Sequence, residues 1–221
     1  NLWIMASVTF PAFANIQADI TSLRRGFLGS IRLVELIAVP ICLGLMIAAE
    51  PIVLVIFGPQ WVDAIPVLRI LSLYVLVASI AYHIGDVYKA IGRPNILLYM
   101  TILTIVLMGV ALYIGSRFGL EGVAWAYVAA FFTERMLSLV IATRYIDITI
   151  KDIFVELLPS IKGGLAMAPA TLLVLYLTSG FDPLIQLILV VLTGAISYLS
   201  ILWWQERDNL YQLVSVIRKS D

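Results

Sequence analysis

The chain has 221 residues, of which 62% are hydrophobic and 13% charged, and its 14 basic and 14 acidic side chains cancel to a formal charge of zero. A water-soluble domain of this length needs far more polar surface, and a nucleic-acid binder needs a broad positive field, so both classes are excluded. The single cysteine, Cys42, stands in an apolar run, which excludes an internal disulfide and a thiolate metal pair; no metal or other cofactor is expected.

Taken in chain order, residues 1–14 are apolar but too short to span, and they lack the charged region that precedes a signal peptide. They read as the end of a truncated transmembrane helix. A basic turn, TSLRRGFLGSIR, leads into an apolar run at 31–57 that carries Pro40 and Pro51, and the prolines are expected to bend or break it. The run at 65–90 reads as one helix. At about 1.5 Å per residue it crosses a hydrocarbon core of roughly 30 Å. Further spans are expected at 95–115, 122–143, 161–179 and 184–204, joined by short turns that force antiparallel neighbours. Between two of them, RYIDITIKDIFVELLP (144–159) mixes charge and hydrophobes at helical spacing, as an interfacial connector does. In the tail, 205–221, Leu210, Leu213, Val214 and Ile217 share a helical face beside Arg218 and Lys219, which predicts an amphipathic surface helix. The fold class is therefore all-α: a polytopic integral membrane protein with six full transmembrane helices plus one partial, the lobe occupying 15–204.

The basic residues orient the lobe. Eleven of the 14 fall on the side of the Arg24–Arg25, Lys89–Arg93 and Lys151 turns, against only Arg69 and Arg117 on the other, while Arg135 lies inside a span. The positive-inside rule makes the first side cytoplasmic, with the C-terminus there and the GPQWVD turn outside. Trp61, Trp203 and Trp204 stand near span ends as interfacial anchors.

Ionisable groups inside spans are costly, about 2.5 to 3.5 kcal/mol each on insertion scales, so each needs a partner or a wet cavity. Arg32 and Glu35, three residues apart, are expected to touch. Glu134 and Arg135 are adjacent and deep in another helix, and His83, Asp86 and Lys89 share a face of a third. Together they are candidates to line an inward-facing polar cavity. The plainer alternatives stay open: Arg32 with Glu35 as an ordinary interfacial pair, Glu134 with Arg135 as a structural one, and His83 as a satisfied polar residue.

The succession FPAFANIQAD, LRRGFLGSIRLVELIAVPICLGLMIAAEPIVLVIFGPQW, AIPVLRILSLY and GDVYKAIGRPN, followed by GLEGVAWAYV and DITIKDIFVELLP, resembles the C-terminal half of bacterial polysaccharide biosynthesis membrane proteins. These are the Wzx-type flippases of the multidrug/oligosaccharidyl-lipid/polysaccharide exporter superfamily. The resemblance implies the second lobe of a two-lobe transporter in the bacterial cytoplasmic (inner) membrane, moving a polyprenyl-pyrophosphate-linked oligosaccharide by alternating access. It implies as partners the N-terminal lobe, membrane lipid, and polymerase or glycosyltransferase components, with no nucleic acid and no enzymatic step. Under it, Arg135 becomes the candidate pyrophosphate ligand, with Glu134 turned toward another helix or water, and Arg32 a second cation held by Glu35. A cation antiporter of the same superfamily and a non-transporting membrane subunit are the alternatives.

Overall fold

The computed structural model describes residues 20–218, with side chains described as far as residue 205; the segment 1–14, read above as a partial span, lies outside it. Every regular element among the described residues is helical. They are α1 (Ile20–Ile47), α2 (Ala49–Ile56), α3 (Ala64–Ile80), α4 (Ile84–Ala90), α5 (Pro94–Gly115), α6 (Gly119–Ile146), α7 (Ile150–Leu177) and α8 (Pro183–Arg218). Five helical stretches are long and apolar enough to cross a membrane: Ile20–Ile47, Ala64–Ala90, Pro94–Ile146, Ile150–Leu177 and Pro183–Gln205. The third contains two helices, α5 and α6, packed along one another across the short turn Ser116–Phe118. This is an all-α, multi-pass membrane protein.

The boundaries follow local chemistry. α1 carries Pro40 in its interior, yet it ends only at Ile47. Pro51 causes that break: a proline has no N–H for the carbonyl four residues back, which here is Ile47, and its ring crowds that oxygen. Pro94 and Pro183 open α5 and α8, where a missing N–H costs nothing. Asp182 caps α8, its Oδ1 accepting the Leu184 N–H at 2.9 Å.

Three expectations are corrected. The run at 65–90 is not one helix: the chain turns at Ala81–His83, where Tyr82 N bonds Ser79 O at 3.1 Å and Ile84 N bonds Ala81 O at 3.2 Å, each closing over three residues instead of four. The segment 144–159 is not a separate connector. α6 runs on to Ile146, Asp147 adopts a left-handed conformation (φ 50°), and α7 begins immediately at Ile150. A capping box starts it, since the Thr149 N–H donates to Asp152 Oδ2 at 2.9 Å and the Asp152 N–H donates to Thr149 Oγ1 at 3.2 Å. The tail does not begin a new helix after 204, because α8 continues unbroken to Arg218 through QERDNL, which has neither Gly nor Pro to stop it. The tail's amphipathic face lies outside the described side chains.

The chain divides into two compact units, residues 1–38 with 70–157, and residues 39–69 with 158–221. In the first, α1 lays down Leu23, Phe27 and Ile31 at four-residue intervals, each at most 2% exposed, against Ile84, Val87 and Tyr88 of α4 and Leu139, Ala142 and Ile146 of α6. The outer helix α5 buries only Gly115, and its Leu98, Ile102, Ile105 and Val110 are exposed, as a lipid-facing surface requires. In the second unit, Ala49, Val53 and Ile65 form a small core, and the helices pack through glycines: a Cβ on Gly163 would stand 2.6 Å from the Tyr198 ring.

The α5–α6 turn depends on the same device. A Cβ at Gly115 would lie 2.6 Å from the carbonyl oxygen of Gly122 and 2.7 Å from the Cβ of Ala126, whereas one at Gly109, a turn and a half earlier, meets nothing within 4 Å. Gly115→Ala is therefore expected to cost about 1 to 3 kcal/mol through overpacking, while Gly109→Ala leaves stability unchanged or raises it through helix propensity. Thermal unfolding of the two variants in detergent checks the contrast; equal midpoints would show that the hairpin does not need its close approach.

Candidate functional site

The first unit holds all six candidate residues, and it sorts them into local groupings rather than one constellation. On α6 the buried positions Ala130, Glu134, Ser138, Ala142 and Ile146 recur every four residues, so Glu134, 4% exposed, takes a core position on a stripe of mostly small side chains. Arg135 leaves that stripe by one residue but does not leave Glu134: its Nε lies 3.3 Å from Glu134 Oε2. The expectation that the two would point apart is thus corrected. Adjacent helical residues do not share a face, but two side chains this long can bend to the same side.

The contact is an ion pair without a hydrogen bond. Both Arg135 Nε and Glu134 Oε2 are buried atoms with no hydrogen-bond partner, a condition that costs about 1 to 3 kcal/mol for a neutral group and more for a charged one. Arg135 is steadied from beneath by aromatic rings. Its guanidinium carbon is 5.7 Å from the centroid of Phe131, one turn earlier. Phe131 packs on Tyr127, a further turn back, at 5.1 Å, and Tyr74 of α3 meets both rings edge-on at 4.8 Å. These three rings were absent from the sequence reading, although the spacing 127, 131, 135 is visible in the chain as a one-face pattern.

The α1 pair is rearranged. Arg32 Nη1 lies 3.6 Å from Glu156 Oε2 of α7 rather than serving Glu35, and one helical face earlier Arg24 Nη2 meets Asp152 Oδ2 at 2.8 Å. Glu35 continues the buried stripe of Leu23, Phe27 and Ile31 and is only 1% exposed. Its Oε1 is 2.6 Å from Ser79 Oγ of α3. Sequence spacing correctly placed Arg32 and Glu35 on neighbouring turns, but a carboxylate on a helix more than a hundred residues away offers the arginine a partner nearer water.

His83 and Asp86 stay together. His83, 6% exposed, directs Nδ1 to within 3.5 Å of Asp86 Oδ2, and Lys89 Nζ donates to Asp86 Oδ1 at 3.1 Å. The adjacent Tyr88, fully buried, donates its hydroxyl to the Ser138 carbonyl at 2.6 Å and ties α4 to the stripe that carries Glu134. Among the described residues, no three His, Cys, Asp or Glu side chains converge as a metal site would need.

Residues 3–66 match the model of a family described as polysaccharide biosynthesis protein. The chain is 33% identical over 136 residues to the lipopolysaccharide biosynthesis protein WzxC of Escherichia coli K12, covering 61% of this chain and 28% of that one. It is 29% identical over 125 residues to the teichuronic acid biosynthesis protein TuaB of Bacillus subtilis 168, covering 56% and 26%. It is 26% identical over 218 residues to the succinoglycan biosynthesis transport protein ExoT of Rhizobium meliloti 1021, covering 96% and 43%. The chain thus spans less than half the length of these relatives. Apolar helices with sparse, paired ionisable groups, the family match over residues 3–66 and these three relatives point the same way: the chain is a multi-pass membrane protein similar to polysaccharide biosynthesis and transport proteins.

Proposed function

We propose that this chain forms part of a flippase that carries a polyprenyl-pyrophosphate-linked oligosaccharide across the bacterial cytoplasmic membrane during surface polysaccharide biosynthesis. The relatives' names, lipopolysaccharide biosynthesis for WzxC and succinoglycan biosynthesis transport for ExoT, support the cargo class. The chain's length relative to theirs supports a role as one lobe of a longer, two-lobe transporter, with the cargo taken between lobes as in other transporters built from repeats. Polymerase or glycosyltransferase components are the partners such a carrier serves.

One observation carries the reading: within an apolar helix, Arg135 presents a buried Nε with no hydrogen-bond partner beside an equally unpartnered Glu134 oxygen. A pyrophosphate supplies the acceptor that Arg135 Nε lacks, and arginine binds such oxygens through paired hydrogen bonds while staying charged in a dry site. A cationic drug would meet repulsion there, which counts against the antiporter. Arg32, paired with Glu156 near the end of its span, is the second cation, placed to receive the headgroup first. In the full-length protein, Arg135→Ala should abolish flipping at unchanged membrane abundance and Arg135→Lys should restore only part of it, measured as surface polysaccharide in a strain lacking its own flippase. Wild-type flux in the alanine variant would remove Arg135 from the mechanism.

The orientation proposed with it puts Arg93, Lys151 and the C-terminus in the cytoplasm and Trp61 and Phe181 outside, from the distribution of basic residues. A thiol reagent that cannot cross the membrane should modify Cys introduced at position 61 in intact cells and leave Cys at position 151 untouched. The reverse pattern would invert the lobe and place Arg32 and its cluster on the exit side.

A further inference from the structure

Glu35 is left over from the cargo site just described. It is 1% exposed, it continues an apolar stripe, and the hydrogen bond its carboxyl makes is to the Ser79 hydroxyl, itself on a residue 8% exposed. The ionisable groups of the surrounding helices have charges of their own beside them: Arg32 with Glu156, His83 and Lys89 with Asp86, and Arg135 with Glu134. An ionised carboxylate in such a place would be held by one neutral hydroxyl, which does not offset the loss of water.

The geometry of Ser79 specifies more. Its Oγ is 2.6 Å from Glu35 Oε1 and 2.7 Å from the Leu76 carbonyl oxygen. A serine hydroxyl has a single hydrogen and cannot donate to two acceptors at once, although its oxygen can accept. Both short contacts can be hydrogen bonds at once when Glu35 carries a proton and donates to Ser79, which in turn donates to Leu76.

Ser79 also sits where a proton can be let go. The chain turns two residues later, at Ala81–His83, so that α3 and α4 are separate segments joined by bonds over three residues. A stretch of bonds over three residues inside a helix often marks a functional hinge. We propose that Glu35, with Ser79, is a proton-exchange site that couples movement at the α3–α4 turn to protonation; the coupling rests on the flippase reading above. Closed, the carboxylic acid donates to Ser79. When the turn flexes and water enters, the acid O–H bond breaks, the proton passes to water, and Ser79 swings its hydrogen from Leu76 to the carboxylate left behind. An alkali cation is a poorer fit, since it needs a larger shell of oxygens than the three this pair supplies.

Infrared spectroscopy of the full-length protein in lipid vesicles tests this through the carbonyl stretch of protonated carboxylic acids. A band present below neutral pH should vanish in Glu35→Gln, a near-isosteric neutral replacement, and should shift in frequency in Ser79→Ala, which removes the hydrogen-bond acceptor. In the wild type it should bleach as pH rises and return as pH falls. The titration needs no cargo, so it judges Glu35 even if the arginine variants overturn the flippase reading. Adding a polyprenyl pyrophosphate should move the midpoint of the titration. No band lost in Glu35→Gln would show the carboxyl to be ionised and overturn the proposal. A band that persists through alkaline pH, or a midpoint unmoved by bound polyprenyl pyrophosphate, would make Glu35 a fixed structural acid and overturn it equally.

Discussion

Every polar group that enters the apolar interior of this molecule has to find its partner within the chain, and that constraint orders the rest. The backbone meets it by being helical. Short polar side chains meet it by bonding back to a carbonyl one turn earlier: Thr101 to Leu97, Thr104 to Met100, Thr133 to Ala129, Thr171 to Met167 and Thr178 to Val174, all within 2.7 to 2.8 Å. A carboxyl group cannot hide this way because it has no hydrogen to give when ionised. Among the described residues, the two buried carboxyl side chains, Glu35 and Glu134, depart from this pattern, one facing a hydroxyl and the other an arginine.

Helix content and class were legible because hydropathy and length alone decide them at 62% hydrophobic residues. The break after α1 was legible in kind, since Pro51 has to free the carbonyl of Ile47. The turn at Ala81–His83 was not. Nothing in AYH breaks a helix by propensity, and the interruption coincides with the polar run of Ser79 and His83 facing neighbours that only the fold assembles. The start of α7 was hidden for another reason. Charged residues at 151, 152 and 156 looked like an interfacial segment, but they are the first turns of a long helix, paired through Asp152 and Glu156 with arginines of α1.

For the candidate site, spacing found the residues and missed their partners. Three-residue spacing licensed an Arg32–Glu35 contact, yet the stripe of Leu23, Phe27 and Ile31 already assigned Glu35 to the core by its four-residue interval. Periodicity on a single helix outranked local pairing, because burying the stripe removes much apolar surface whereas a half-exposed ion pair contributes little. Contacts between helices, such as Ser79 on Glu35 or Tyr74 on Phe131, have no signature in a single sequence.

The Glu134–Arg135 pair raises a question of affinity. An unaccompanied Arg135 would bind pyrophosphate strongly, but it would be costly to insert and slow to release its cargo. The Glu134 Oε2 oxygen, 3.3 Å from Arg135 Nε without a hydrogen bond to it, offsets the guanidinium's charge and leaves that donor unused. On the flippase reading, an arriving pyrophosphate gains hydrogen bonds that Glu134 does not make, while remaining repelled by the carboxylate's charge. The two effects oppose each other, so binding is favourable enough to load and weak enough to leave, which is the requirement on any site through which a charged solute must pass. The aromatic ring of Phe131 holds the position of Arg135 through its face and leaves the edge of the guanidinium, where its N–H groups lie, uncovered by that ring.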